Sequence, residues 1–161
     1  MLMKVQELMT RHLVVCGPSD SLSRAAQIMW DRDCGCVPVV DEGGRPTAMI
    51  TDRDICMAAY TRGGRLSDLT VSKAASHRLV AVRPDDEIAT AEQLMRQFQI
   101  RRLPVVDDAG TLVGLVSMND LARHARRGHR GHELSAEGVT KTLAAVCSPP
   151  VREGATSNSS S

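Results

Sequence analysis

Apolar positions along this chain change period in a fixed order, and that order occurs twice. Residues 103–106 (Leu-Pro-Val-Val) and 112–116 (Leu-Val-Gly-Leu-Val) are short apolar runs separated by Asp107, Asp108, Ala109, Gly110 and Thr111. Such runs, bounded by turn residues, predict two strands joined by a tight hairpin. Pro104 is expected at the first position of its strand, where a missing N–H matters least. The unbroken run 112–116 predicts a strand covered on both faces. Ser117 then stands three residues before Asp120, the pattern of a helix N-cap with an acid in the first turn. The same order is present earlier, in the run 37–44 (Val-Pro-Val-Val-Asp-Glu-Gly-Gly) and in 48–54 (Ala-Met-Ile-Thr-Asp-Arg-Asp).

Upstream of each hairpin the period lengthens to that of a helix. Leu22, Ala25, Ile28 and Met29 share one face of a helix ending near Arg32, and Ile88, Ala91, Leu94, Met95 and Phe98 do the same later. Each helix follows a Pro-containing turn and a short apolar strand, at 13–16 and 79–82. A lead-in helix is predicted over 3–10, a helix over 52–60 after the first hairpin, and one from Ser117 to about 127 after the second. Trp30 is read as a packed residue, within the chain or at a subunit contact, rather than a ligand platform.

One register relates the halves. Pro38 and Pro104 stand 66 residues apart, and the same offset pairs Val5 with Val71, Pro18 with Pro84, Asp20 with Asp86, Met29 with Met95 and Asp54 with Asp120. Two copies are too few for a solenoid. They predict a pseudo-twofold pair: residues 3–64 as the first unit and 65–127 as the second. Residues 128–161 are read as a basic linker, a short helix at 137–147 with Val139, Leu143 and Val146 on one face, a stop at Pro149-Pro150, and a disordered Ser-rich tail.

The unit resembles the CBS domain, named after cystathionine β-synthase, and the pair resembles a Bateman module. The residues that carry the resemblance are Val5 to Thr10, the two Pro-Val-Val-Asp strands, and the two ends Thr51-Asp52-Arg53-Asp54 and Ser117-Met118-Asn119-Asp120. It implies an α+β fold of two tandem β-α-β-β-α units packed sheet to sheet, with two clefts. It also implies a stand-alone regulatory module for an adenosyl ligand: AMP, ADP, ATP, NAD(H) or S-adenosylmethionine. Thr51 with Asp54 and Ser117 with Asp120 would then hold a ribose. Cys36-Val37 and Arg102-Leu103 would contact the base, and Cys16 and Val82 would close the pocket. Arg53 can reach a phosphate; Asn119 replaces it in the second copy, where Arg101 and Arg102 can supply charge. On spacing alone, both Thr/Ser-x-x-Asp pairs are equally readable as plain helix caps. Gly114 is matched by Ala48 in the first copy, where a methyl is expected to narrow the cleft. The second cleft is therefore expected to bind more strongly.

Composition narrows the alternatives. Aromatic residues are 2% of the chain and the formal net charge is +1, so neither a stacking platform nor a global field for nucleic acid is present. Lys4, Glu7 and Arg11 interrupt the first apolar runs, and a cytoplasmic location is expected. There is no nucleophile elbow, zincin motif, Walker loop or dinucleotide-binding glycine pattern, so an enzyme is not expected. The five cysteines are read as free thiols, Cys56 as a buried one, and Cys34-Gly35-Cys36 as ordinary thiols rather than a metal site. His124, His129 and His132 are read as part of a solvated basic linker. A homodimer through the helices at 22–32 or 52–60 is expected, with an unidentified protein partner left open. The alternatives are a ligand-free oligomeric or redox-responsive stress protein, and a regulator acting through its basic tail.

Overall fold

The computed structural model describes residues 2–126 and 134–148; His129, His132, Pro149, Pro150 and the Ser-rich tail lie outside the described residues. The elements follow the predicted order: α1 (Leu22–Asp31), β1 (Cys36–Val40), β2 (Pro46–Thr51), α2 (Asp52–Arg62), α3 (Ile88–Phe98), β3 (Arg102–Val106), β4 (Leu112–Ser117), α4 (Met118–Arg126) and α5 (Ala136–Cys147). The hairpins β1–β2 and β3–β4 are antiparallel and in equivalent register, with Val37 opposite Ile50 and Leu103 opposite Val116. Asp41 and Asp107 close the turns, each carboxylate accepting two backbone N–H bonds. The lead-in helix is a single 3-10 turn, Val5–Glu7.

The predicted strands at 13–16 and 79–82 contract to one parallel bridge each, Cys16 beside Val39 and Val82 beside Val105. The cause is the proline. Cys16 N donates to the Pro38 carbonyl at 3.1 Å, and Val40 N donates to the Cys16 carbonyl at 2.9 Å. The next rung would need an N–H at position 38, and proline has none. Pro104 stops the ladder beside Val82 in the same way, after bonds of 3.0 and 2.9 Å. Both prolines therefore sit third in their strands rather than first, each with its missing donor turned away from the hairpin partner.

Two cores result, and each takes its lead-in from the other half. Met3, Val5 and Met9 pack with Val82, Met95, Leu103 and Leu121, whereas Val71 and Ala75 pack with Leu22, Ile28, Val39 and Ile50. Thr10 adds to the edge of β4 through reciprocal bonds with Leu115 at 2.9 and 3.0 Å; Ser76 adds to β2 at Met49. Helix α5 covers α3 and α4 through Val139, Thr142 and Val146. Thr142, fully buried, accepts from Arg96 at 2.6 Å and donates to Glu92 at 3.0 Å.

Three residues depart from their expected burial because each lies one step off its helix's apolar stripe. Trp30 follows Met29 and is 87% exposed. Cys56 follows Ile55 and is exposed. Leu143 follows Thr142 and is exposed, so Thr142 completes the α5 face in its place.

Gly114 is small because of the crossed lead-in, not because of a ligand. A Cβ there would lie 2.7 Å from Met9 Sδ and 3.1 Å from the Thr10 carbonyl oxygen. Its counterpart Ala48 is buried, and neither residue lines the cavities described below. Gly114→Ala is expected to lower stability by about 1–3 kcal/mol through overpacking, read as an earlier urea midpoint with unchanged slope. Full stability would show that the lead-in can move aside freely.

Candidate functional site

Each hairpin delivers a hydroxyl and a carboxylate to the start of the following helix. At α2, Thr51 N and Oγ1 donate to Asp54 Oδ2 at 2.9 and 2.7 Å, and Asp54 N returns a 3.1 Å bond to Thr51 Oγ1. At α4, Ser117 N and Oγ donate to Asp120 Oδ2 at 2.9 and 2.5 Å, with Asp120 N on Ser117 Oγ at 3.3 Å. Both pairs are thus capping boxes, satisfying helix donors that have no partner within the helix. Asp120 has more to do. Its Oδ1 accepts from Arg123 Nη2 at 2.5 Å, and the side chain is 9% exposed.

Two cavities lie between the units, and each is built from both. The first, about 440 Å³, brings Ser117, Asn119, Asp120 and Arg123 of the second unit against Leu13, Val14, Ile28, Cys36 and Pro38 of the first. The second, about 540 Å³, brings Thr51 and Arg53 of the first unit against Val80, Ile100, Arg101, Arg102 and Pro104 of the second. Both are of ordinary size for a small-ligand site. Gly35, Cys36 and Arg102 line both cavities and form the wall between them. Of the two arginines expected beside Ser117 and Asp120, Arg102 lines their cavity, together with Cys36, whereas Arg101 lines the cavity of Thr51.

Not every candidate reaches a cavity. Cys16, Val37, Val82 and Leu103 are core residues, and Asp54 lines neither cavity. The residues that close the ends are instead Val14 and Val80, two positions before the single bridges. Among the described residues no hydrogen bond reaches their carbonyls, the acceptors left by the missing proline N–H groups. Arg32 and Arg78 also line the cavities without having been singled out, since isolated arginines carry no sequence signal; Arg123, which opens a run of basic residues, lines the Ser117 cavity as well.

The cysteines divide by burial. Burial pushes the Cys16 thiol from 9.0 up to about 11, with Asp20 adding to the shift. Burial does the same to Cys36, also to about 11, against a lowering by Arg102. All five cysteines are free. Among the described residues no group of three or more His, Cys, Asp or Glu is placed to hold a metal ion, and no helix is long and apolar enough to cross a membrane.

The CBS domain family matches residues 5–60 and 68–127. The chain is 40% identical over 118 residues to the CBS domain-containing protein YhcV of Bacillus subtilis, covering 73% of this chain and 82% of that one. It is 28% identical over 144 residues to hypoxic response protein 1 of Mycobacterium tuberculosis, covering 89% and 94%. Among solved structures, CBSX2 in complex with AMP superposes with a TM-score of 0.68 at 25% identity, covering 77% of this chain and 96% of that one. With the crossed pair of β-hairpin units and their matching register, these similarities place the chain in the CBS domain family, as a protein carrying two CBS domains in tandem.

Proposed function

We propose that this protein is a non-catalytic, cytoplasmic regulatory module that binds an adenosyl ligand and signals through the shape of a homodimer or through a partner protein. The observation that carries the reading is the convergence, in one cavity, of Ser117 and Asp120 with the apolar wall of Leu13, Val14, Ile28 and Pro38. A flat base suits that wall, and the Val14 carbonyl is an acceptor for its exocyclic amine. A ribose suits the carboxylate. Among the described residues, the partner of Asp120 Oδ1 is Arg123, whose own two-thirds exposure lets it swing outward. Ribose hydroxyls can take its place while Arg123 turns to a phosphate. The AMP complex of CBSX2 supports the ligand class. The exposed Trp30, Met57 and Tyr60 on α1 and α2 support self-association through that face.

The structure separates the two aspartates more sharply than their equivalent capping does. Charge-assisted bonds are worth roughly 1.5–3 kcal/mol each. Asp120→Ala is expected to weaken binding of an adenine nucleotide at least ~10-fold, and Asp54→Ala to leave it little changed, by calorimetric titration with circular dichroism as the folding control. Wild-type affinity in Asp120→Ala would return Ser117 and Asp120 to a purely capping role.

Light scattering at tens of micromolar is expected to give a dimer mass, lost in a Trp30→Glu variant. A monomer in the wild type would refute association through this face.

The buried thiols of Cys16 and Cys36 are expected to respond little to oxidants. Cys16 and Cys36 hold their protons to about pH 11 when folded, whereas the unfolded chain releases them near 9.0. Stability should therefore fall between these values, where the unfolded state gains by ionising and the folded state does not. At pH 8, iodoacetamide should label Cys34, Cys56 and Cys147 well before Cys16 and Cys36. Early loss of Cys16 together with Cys34 or Cys36 to a disulfide would instead favour a redox-responsive protein.

A further inference from the structure

The outer face of α1 and α2 carries a hollow of about 270 Å³, lined by Ala26, Met29, Trp30, Cys34, Asp52 and Ile55. Apart from Asp52 the lining is apolar or sulfur-bearing. Asp52 is exposed and enters none of the ion pairs among the described residues. Its Oδ1 accepts from Arg53 N at 2.7 Å, and its Oδ2 lies beside Gly35, 3.1 Å from where a Cβ there would stand. Trp30 lines the same hollow, yet its own side chain is almost wholly exposed. An indole is apolar except for one N–H, which only donates, whereas a carboxylate only accepts. The hollow thus offers what an indole needs for burial: an apolar bed, sulfur atoms that favour aromatic contact, and one acceptor.

The second unit has lost both halves of this fit. At the 66-residue offset Trp30 becomes Arg96, Ala26 becomes Glu92 and Asp52 becomes Met118. Arg96 and Glu92 are bonded to Thr142 of α5 instead. Met57 and Tyr60, exposed on α2, become Arg123 and Arg126 on α4. Plug, floor and acceptor therefore occur together in one unit and are missing together from the other. The arginines that replace the plug and its apolar neighbours would repel a like face.

Resting on the self-association reading above, we propose that two copies join through their first units alone, each Trp30 lying in the hollow of the other copy and donating its indole N–H to the Asp52 carboxylate there. The contact is isologous, because one patch supplies both plug and socket. The second units, with α5, are turned outward and take no part in it. A tryptophan that fills a pocket is the kind of residue that dominates an interface.

Trp30 is the sole tryptophan of the chain, so its fluorescence reports this contact directly. The test dilutes the full chain stepwise from tens of micromolar, with sedimentation velocity for mass and emission for Trp30. Emission is expected to be blue-shifted in the dimer and to move to that of a water-exposed indole in step with the loss of dimer mass. Ala26→Glu, which gives the first unit the residue of the second, is expected to raise the dimer dissociation constant at least ~10-fold. Trp30→Phe keeps a ring and loses the donor, and is expected to weaken the dimer ~10-fold. Leu143→Glu, on the exposed side of α5, is expected to leave it unchanged. Circular dichroism checks that each variant is folded. A wild-type dimer whose Trp30 emits as in water would overturn the proposal and leave self-association standing. So would a dimer weakened by Leu143→Glu and not by Ala26→Glu, or a Trp30→Phe dimer as tight as wild type. A chain monomeric at every concentration would overturn both.

Discussion

The fold depends on an exchange. Each unit completes its core with the lead-in of the other: Met3, Val5 and Met9 go to the second core, Val71 and Ala75 to the first. Neither hairpin unit is closed without the segment it borrows. Burial of such side chains contributes roughly 1.5–3 kcal/mol each, so separating the units would expose apolar surface on both. The exchange also sets the distance between the halves. Thr10 on β4 and Ser76 on β2 fix the two edges, and the space left between them is where the cavities lie. Gly114, with Met9 and Thr10 against its backbone, is where this closeness is tightest.

Much of this was legible in the chain, and the limits have physical causes. The offset of 66 residues revealed both units and their equivalence. The helix-period stripes named the buried faces of α1 and α3, and the Thr/Ser-x-x-Asp spacing named both capping boxes. What a repeat cannot reveal is whose core a lead-in joins, because Val5 and Val71 read alike whether they pack at home or across. For the same reason the sequence placed Arg101 and Arg102 together beside Ser117, whereas the fold keeps Arg102 there, adds Cys36 of the other unit, and gives Arg101 to the cavity of Thr51. The short first strands needed a second step: Pro38 and Pro104 were recognisable, but their effect depended on which edge their missing donors faced.

The proline effect links chain chemistry to the site. An ordinary residue at 38 or 104 would extend the parallel ladder and occupy the carbonyl of Val14 or Val80. Proline stops the ladder one rung early and leaves an acceptor at the wall of each cavity. The same substitution therefore shortens the strand and furnishes the cleft, and it does so twice in one register. Arg102 lines both cavities.

Helix α5 breaks the equivalence of the halves. It lies over α3 and α4, while Trp30, Met57 and Tyr60 on α1 and α2 remain open. A duplicated chain with two matching sticky faces can add a copy at either one, and heterologous contacts of that kind propagate into filaments unless their rotation happens to close. With α5 over α3 and α4, the α1–α2 side remains open for the self-association proposed above. An isologous contact through one patch is satisfied by two copies and has no free end to extend. In the dimer proposed above, the appended helix would leave such a contact no second face at which to grow.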